Sequence, residues 1–520
     1  MIQYFKSDRG ALLLLLATSA LLLLFGLHAR ELWGAETRWA NITLQMLQSG
    51  DYFDPYLMGT PYYDKPLPSY WLIALAAKLF GGLGNFSLRL PSVLGAWSSV
   101  WLVYELGARL FDKRTGLLAG WLLTTTFFFL VWARVATADV LTVCGVLAAV
   151  WWYWRGPEDT RASRYLVFLL ILALTSLLKG LIGFILPVLV LLPHLLSEGR
   201  WKRHLNLRLV PGLVTAAALY MVPFALSHGY GEPTYGESGL ALVFRENVVR
   251  FFQPFDQFGP VWLYVAYLPI YTLPWAPCWL LGLWWAVRNW QHTERNVRWL
   301  ILGLGLLFLF FTACGSRRSY YVLPLVPFAQ LLGAWWLNRH LLLRAAAGPA
   351  SSRRWVWGIG TAAAVMWLVF GVVYPWTNGG GGAPQFASDV RNAASRQALW
   401  PEWQLVLIDV DNRVPMYLDN PGAPFLYVKG SDDYPREGSS ADLLAWLTKK
   451  YGRPFDPART ILIEDSTDPL HIPLGYLQAD HGTVISRPNN GARLSHAHGH
   501  VSIAFIPRSG QALARDGAQQ

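Results

Sequence analysis

The sequence predicts an α-helical polytopic membrane protein with a C-terminal soluble α/β domain. Three observations carry that expectation. Hydrophobic residues make up 54% of the 520 positions against 14% charged, apolar segments of membrane-crossing length recur up to about residue 375, and the composition changes after Tyr374. With a mean hydropathy of +0.30, the chain is too apolar for an ordinary soluble multidomain protein.

The first segment, residues 11–29, is an almost uncharged run of Leu and Ala. At 1.5 Å per residue it can cross a hydrocarbon core of about 30 Å. It is longer than the apolar part of a usual signal peptide, and no small-residue cleavage site follows it, so it reads as a span. Further apolar segments lie at 91–111, 116–133, 138–154, 165–178, 181–196, 209–227, 262–287, 299–314, 320–338 and 355–375, which brings the expected total to eleven. A cytoplasmic N-terminus carrying Lys6 and Arg9 places Lys113-Arg114 and the basic loops at 155–164, 200–208, 288–298 and 339–354 on the same side, as the positive-inside rule requires.

The net charge of +11 is thereby mostly topological, and nucleic acid is not an expected partner. The cations left on the outer side are Arg38, Lys65, Arg134, Lys179, Arg245, Arg250, Arg317 and Arg318. Any one of them reads as snorkelling or local pairing; as a set they suit a phosphate-bearing lipid at the outer interface. Cys144, Cys278 and Cys314 fall in or beside spans, form no spaced metal motif and are expected to pack in the core.

The first outer loop, residues 30–90, is long enough to have its own structure. Trp39, Ile42, Leu44, Met46 and Leu47 interleave with polar residues over 36–48 as in an interfacial amphipathic helix, and a second helix is expected over 67–80. A second outer loop covers 228–260. The glycine run after Asn378 reads as a flexible linker, dividing a membrane domain (1–377) from an outer α/β domain (378–520). In the latter, strands are expected at 405–408, 425–428, 460–463 and 501–505, with a helix around 440–451. His496, His498 and His500 alternate as metal ligands on a strand could, although a solvated loop is the favoured reading.

Glu36-Thr37-Arg38, Gly50-Asp51-Tyr52 and Asp64-Lys65-Pro66-Leu67-Pro68-Ser69-Tyr70-Trp71 follow one another in the first outer loop. Ala133-Arg134-Val135-Ala136-Thr137-Ala138-Asp139, Arg245-Glu246-Asn247-Val248-Val249-Arg250-Phe251 and Ser316-Arg317-Arg318-Ser319-Tyr320-Tyr321 come later. Over roughly the first 340 residues this order resembles the GT-C superfamily of polyprenyl-phosphate-sugar glycosyltransferases, in particular the bacterial aminoarabinose transferases and the related protein O-mannosyltransferases. The resemblance implies a GT-C helical bundle with interfacial helices in the first outer loop. It implies a bacterial inner membrane location with the site and the C-terminal domain facing the periplasm.

The implied reaction takes a sugar from undecaprenyl or another polyprenyl phosphate, with inversion, to lipid A, another envelope glycan or a protein. A carboxylate takes the acceptor proton while cations hold the departing phosphate. By resemblance the acids are Glu36, Asp64 and Asp139, and the phosphate ligands are Arg38, Lys65, Arg250, Arg317 and Arg318, with Tyr320 or Tyr321 adding a hydroxyl. Membrane lipids are partners throughout.

Two departures from the family matter. The first loop usually opens Asp-Glu, but Ala35 precedes Glu36 here, which leaves the base open between Glu36 and Asp139. Some relatives pair a Glu before the Lys-Pro step with a His in the second loop, where this chain has Asp64 and Asn247. Those two could ligate a divalent metal, but losing the imidazole weakens the case, and no cofactor is required. A lipid-linked sugar transporter or flippase is the alternative, and it calls for related halves with charges near the midplane; no convincing repeat occurs. A catalytically dead scaffold is the third reading, drawing on Ala35.

Overall fold

In the computed structural model the described residues are 8–226, 244–245, 249–252, 259–342, 349–378, 382–419, 424–429, 435, 440–466, 482–488 and 501–507. They are mostly helical, and the chain forms two compact units.

The first unit comprises residues 1–27, 63–72 and 89–372. The chain begins with α1 (Asp8–Leu24) and α2 (Glu36–Ser49), followed after a short hairpin by α3 (Pro68–Leu79), α4 (Asn85–Leu110), α5 (Lys113–Thr124), α6 (Phe127–Ala133), α7 (Ala138–Trp154), α8 (Ala162–Lys179) and α9 (Ile182–Leu196). Then come the short α10 (Trp201–His204) and α11 (Val210–Leu226). Among the described residues five helices are long and apolar enough to cross a membrane, six if a bent pair counts as one span, and three more are apolar but shorter. The chain is a multi-pass membrane protein.

Two expected spans prove to be divided. Residues 116–133 divide into α5 and α6, bent by 67°. The break falls at Thr125 and Thr126, whose hydroxyls donate to the carbonyls of Trp121 and Leu122 instead of facing lipid. Gln330 donates to Thr126 Oγ1 and Trp275 to Thr125 Oγ1, so the polar atoms of the bend are partly satisfied within protein, as the apolar interior requires. Residues 262–287 divide at Thr272 into Leu263–Tyr271 and Ala276–Arg288, with Pro269 and Pro274 removing backbone donors. The span expected at 320–338 is continuous over Ser319–Arg339 and only tightens at its start, a 3-10 stretch Ser319–Leu325 before the helix Val326–Trp336.

With no hydrophobic drive between helices in lipid, close packing of small residues has to hold the bundle. At Gly145 on α7 an added Cβ would lie 2.2 Å from Thr175 Oγ1 on α8, so only glycine permits that crossing. Cys278 is buried, Cys144 and Cys314 are half-buried, and all three are free thiols.

The second unit joins residues 28–62 and 73–88 to everything from Val373 onward. The first outer loop thus divides between the units. Its strands β1 (Tyr56–Leu57) and β2 (Thr60–Pro61) turn at Met58 and Gly59, both at positive φ as a tight hairpin turn demands. Of the expected glycine linker, Asn378 ends the helix Tyr374–Asn378 and Gly382 begins the helix Gly382–Ser395, which the sequence reading did not anticipate; 379–381 lie outside the described residues.

The four expected strands and the expected helix are present. Strands β3 (Gln404–Ile408), β4 (Leu426–Val428), β5 (Thr460–Ser466), β6 (Gly482–Pro488) and β7 (Val501–Pro507) form one sheet in the order β4-β3-β5-β7-β6. β3 runs parallel to β4 and β5, while β7 is antiparallel to β5 and β6. Helix Ser440–Tyr451 packs Leu443, Leu444 and Leu447 on Val406, Ile408 and Leu462, and Gly382–Ser395 covers β6 and β7. Every residue of β7 is buried, as a central strand covered on both faces should be. First-loop residues dock here too: Leu32 N–H donates to Tyr417 Oη at 2.9 Å, Asn41 Nδ2 to Asn412 O at 2.8 Å, and Tyr417 Oη to Asn85 Oδ1 at 3.1 Å. His496, His498 and His500 lie outside the described residues, as does most of the loop 228–260.

Candidate active site

Asp139 opens α7. Thr137 is its N-cap, accepting the Asp139 N–H through the hydroxyl, and so starts the helix with the carboxylate in the first turn. Lys179 is the last residue of α8. The Gly145–Thr175 crossing brings these two helix ends together, and Lys179 Nζ donates to Asp139 Oδ1. Each charge sits at the helix terminus whose dipole favours it.

Aromatic residues surround the pair. Lys179 Nζ lies 5.0 Å from the Tyr321 ring centroid and 5.8 Å from that of Tyr320. Arg318 donates to Tyr320 Oη at 2.8 Å, and the Tyr320 ring packs on Trp132 at 4.2 Å. Trp132 Nε1 donates to Tyr271 Oη, which shares a further hydrogen bond with Ser319 Oγ, both at 3.2 Å. Asp139, Arg318, Tyr320 and Tyr321 are therefore brought together. Lys179, named in the sequence among the outer cations though in none of the motifs, joins them.

Arg317 points elsewhere. Its guanidinium donates to Thr312 O through Nε (3.1 Å) and Nη2 (3.0 Å) and to Gly259 O through Nη1 (2.8 Å), capping the helix Arg295–Ala313. Arg134 does the same for α1, donating to Leu22 and Leu23 carbonyls. Arg250 opens the short helix Arg250–Phe252, and the Gly315 N–H donates to Phe251 O, tying this segment to the one that carries Arg317 and Arg318. Lys65 and Asp64 precede α3 and are half-buried; Lys65 Nζ donates to the backbone carbonyl of Asp64 at 3.1 Å. Asn247 lies outside the described residues, among which there is no group of three or more His, Cys, Asp and Glu suited to a metal.

Glu36 and Arg38 belong to the second unit. Glu36 is fully buried in the first turn of α2, and its Oε2 accepts Arg30 Nη2 at 2.6 Å and the Trp33 N–H at 3.1 Å. Its ion-pair partner Arg30 comes from the loop before the helix. Arg38 donates to Tyr62 Oη and lies over the Trp39 ring at 4.8 Å. Nearby, burial raises the pKa of Glu31 above the usual carboxylate value, against the opposing charge of Arg413 3.8 Å away.

Comparison with known proteins agrees with this architecture. ArnT from Cupriavidus metallidurans bound to undecaprenyl phosphate superposes with a TM-score of 0.70 over 96% of this chain and 98% of that one, at 21% identity. The oligosaccharyltransferase AglB from Archaeoglobus fulgidus, in complex with an inhibitory peptide and a dolichol-phosphate, superposes at 0.52 over 88% and 69%, at 14% identity. The chain shares its fold with these two proteins. A family model described as dolichyl-phosphate-mannose-protein mannosyltransferase matches residues 64–227. The undecaprenyl phosphate-alpha-4-amino-4-deoxy-L-arabinose arabinosyl transferase of Enterobacter sp. (strain 638) is 31% identical over 63% of this chain and 59% of its own length. That of Pseudomonas aeruginosa (strain UCBPP-PA14) is 32% identical over 63% and 60%. The chain spans about 60% of the length of these curated relatives. It resembles the aminoarabinose transferase group in sequence as well as in fold.

Proposed function

We propose that this protein is an integral membrane glycosyltransferase that moves a sugar from undecaprenyl phosphate to an envelope acceptor, lipid A foremost, with inversion. The reading includes eleven spans in a bacterial inner membrane, with the site and C-terminal domain on the periplasmic side. One observation carries it most: Asp139, Lys179, Arg318, Tyr320 and Tyr321 converge at the ends of two helices, giving a carboxylate, two cations and two phenols beside aromatic walls. The names of the similar proteins support the donor class.

In this mechanism Asp139 accepts the proton of the acceptor hydroxyl as that oxygen attacks the anomeric carbon and the bond to the donor phosphate breaks. Lys179 orients the carboxylate. Lys65, Arg318 and Arg250 neutralise the polyprenyl phosphate as it leaves, and the Tyr320 hydroxyl, held by Arg318, donates to one of its oxygens. Arg317 serves the same surface by holding its loop. Glu36 acts through structure, because its carboxylate is already committed to Arg30 and a backbone N–H. A metal bound by Asp64 and Asn247 would add charge at the phosphate, and no step is assigned to it.

The test is the full-length protein in proteoliposomes with undecaprenyl-phosphate 4-amino-4-deoxy-L-arabinose and lipid A, products read by mass spectrometry. Transfer predicts lipid A heavier by one sugar and free undecaprenyl phosphate in equal amount. An intact donor that instead crosses the vesicle bilayer would replace this reading with a transporter.

A further inference from the structure

The opposite end of α7 and α8 carries a second feature. Trp152 is thirteen residues beyond Asp139 on the same helix, roughly 20 Å away at 1.5 Å per residue. There α7, α8, α9, α10 and the 3-10 turn Leu207–Leu209 line a cavity of about 240 Å³ whose walls include Trp152, Phe168, Leu169, Val188, Leu191 and Leu209.

The chemistry of the walls restricts what can enter. Polar groups at the lining are engaged with one another: Tyr153 Oη with His194 Nδ1 at 2.8 Å, Tyr165 Oη with His204 Nδ1 at 3.1 Å, Asn206 Nδ2 with Tyr165 Oη at 3.1 Å, and Arg164 Nη2 with Trp152 O at 2.5 Å. The remaining surface is carbon, which holds water poorly and gains dispersion contacts from a hydrocarbon occupant. The volume is below the ~300–1,000 Å³ that encloses a drug-sized ligand, so it suits part of a chain and not a whole molecule.

Charge at the rim identifies the rest of that molecule. Residues 155–164 and 198–208 carry seven Lys and Arg against three Asp and Glu. Glu158 is shared by Arg200 and Arg203, and Asp159 is held by Arg161, which leaves Lys202 and Arg208 exposed beside the lining residues Trp201 and Leu209. Trp201, Leu205 and Leu207 expose apolar surface among these cations, the mixture found at the headgroup level of a bilayer. We propose that this cavity takes one acyl chain of an anionic phospholipid, with the headgroup phosphate against the 198–208 segment. It would be a lipid site at the end of the bundle away from Asp139, on the side the basic loops assign to the cytoplasm.

The test uses the full-length protein in nanodiscs, with phosphatidylglycerol or phosphatidylcholine bearing a diazirine at the acyl terminus, and mass spectrometry of the labelled peptides. The phosphatidylglycerol probe should label peptides covering 152–169 and 188–209 several-fold more than the phosphatidylcholine probe. Val188→Phe, and Leu209→Phe from the opposite wall, should cut that labelling several-fold without changing it elsewhere, while Lys202→Gln/Arg208→Gln should bring the two probes level. Equal labelling of the wild type by both headgroups would overturn the proposal. So would undiminished labelling of whichever cavity-filling variant keeps the wild-type melting temperature.

Discussion

Two buried ion pairs occupy the residues on which the chemistry was expected to rest, and they are built differently. The Asp139–Lys179 pair joins two helix ends under tyrosine rings, with Arg318 bound to one of those tyrosines and both charges retaining some exposure. In the Arg30–Glu36 pair the acid is sealed, and a backbone N–H takes the same oxygen that the arginine holds. A carboxylate beside movable cations and phenols can exchange a proton with a substrate; one fixed by an arginine and its own helix entry mainly positions the loop. Position in a family-like motif and fitness for chemistry are therefore separate properties.

The strongest way to break this contrast is Asp139→Asn, which keeps the shape and removes the base. Transfer should fall by about 10²–10⁴-fold, the usual range for a lost general base, with only a modest drop in melting temperature, because Lys179, left without its counter-charge, keeps some exposure. Glu36→Gln should do the reverse. Leaving Arg30 buried without its counter-charge costs on the order of 3 kcal/mol, visible as a lower melting temperature, while the rate per folded molecule stays near the wild-type value. Lys65→Ala should cost about 1.5–3 kcal/mol of phosphate binding, roughly 10–100-fold in kcat/KM, with rising ionic strength weakening the wild type toward the variant.

The smallest effect concerns the second unit's other acid. Burial raises the Glu31 pKa, so the folded chain holds that proton more tightly than the unfolded one. Its contribution to stability is most favourable at pH values below the usual carboxylate range and is lost as pH rises through the raised value. Arg413 limits the shift, so Arg413→Gln should lower the melting temperature more at pH 8 than at pH 5. An equal deficit at both would remove Glu31 from the account.

Much of the architecture was legible because apolar periodicity reports burial directly. The apolar segment expected at 138–154 is a helix with those limits, and the first-loop helix expected over 36–48 runs from Glu36 to Ser49. The bend at Thr125 and Thr126 was hidden because threonine in an apolar run gives no sign of which carbonyl its hydroxyl will take. Strand β6, Gly-Thr-Val-Ile-Ser-Arg-Pro, is too polar and too Gly/Pro-bounded to signal a strand without its partner β7.

In the site, Asp139, Arg318, Tyr320 and Tyr321 were legible from motifs, while Lys179 depended on a helix crossing made by Gly145 and Thr175. Glu36 is held by Arg30 of the preceding loop, a residue outside the motif that drew attention to Glu36.

The most direct measurement is the transfer rate per folded molecule of Asp139→Asn and Glu36→Gln, side by side in the same proteoliposomes, with folded protein quantified by thermal unfolding. The account predicts a folded, nearly inactive Asp139→Asn and a less stable Glu36→Gln whose folded fraction still transfers sugar. A folded Glu36→Gln without activity beside an Asp139→Asn at the wild-type rate would contradict it and move the base into the first outer loop.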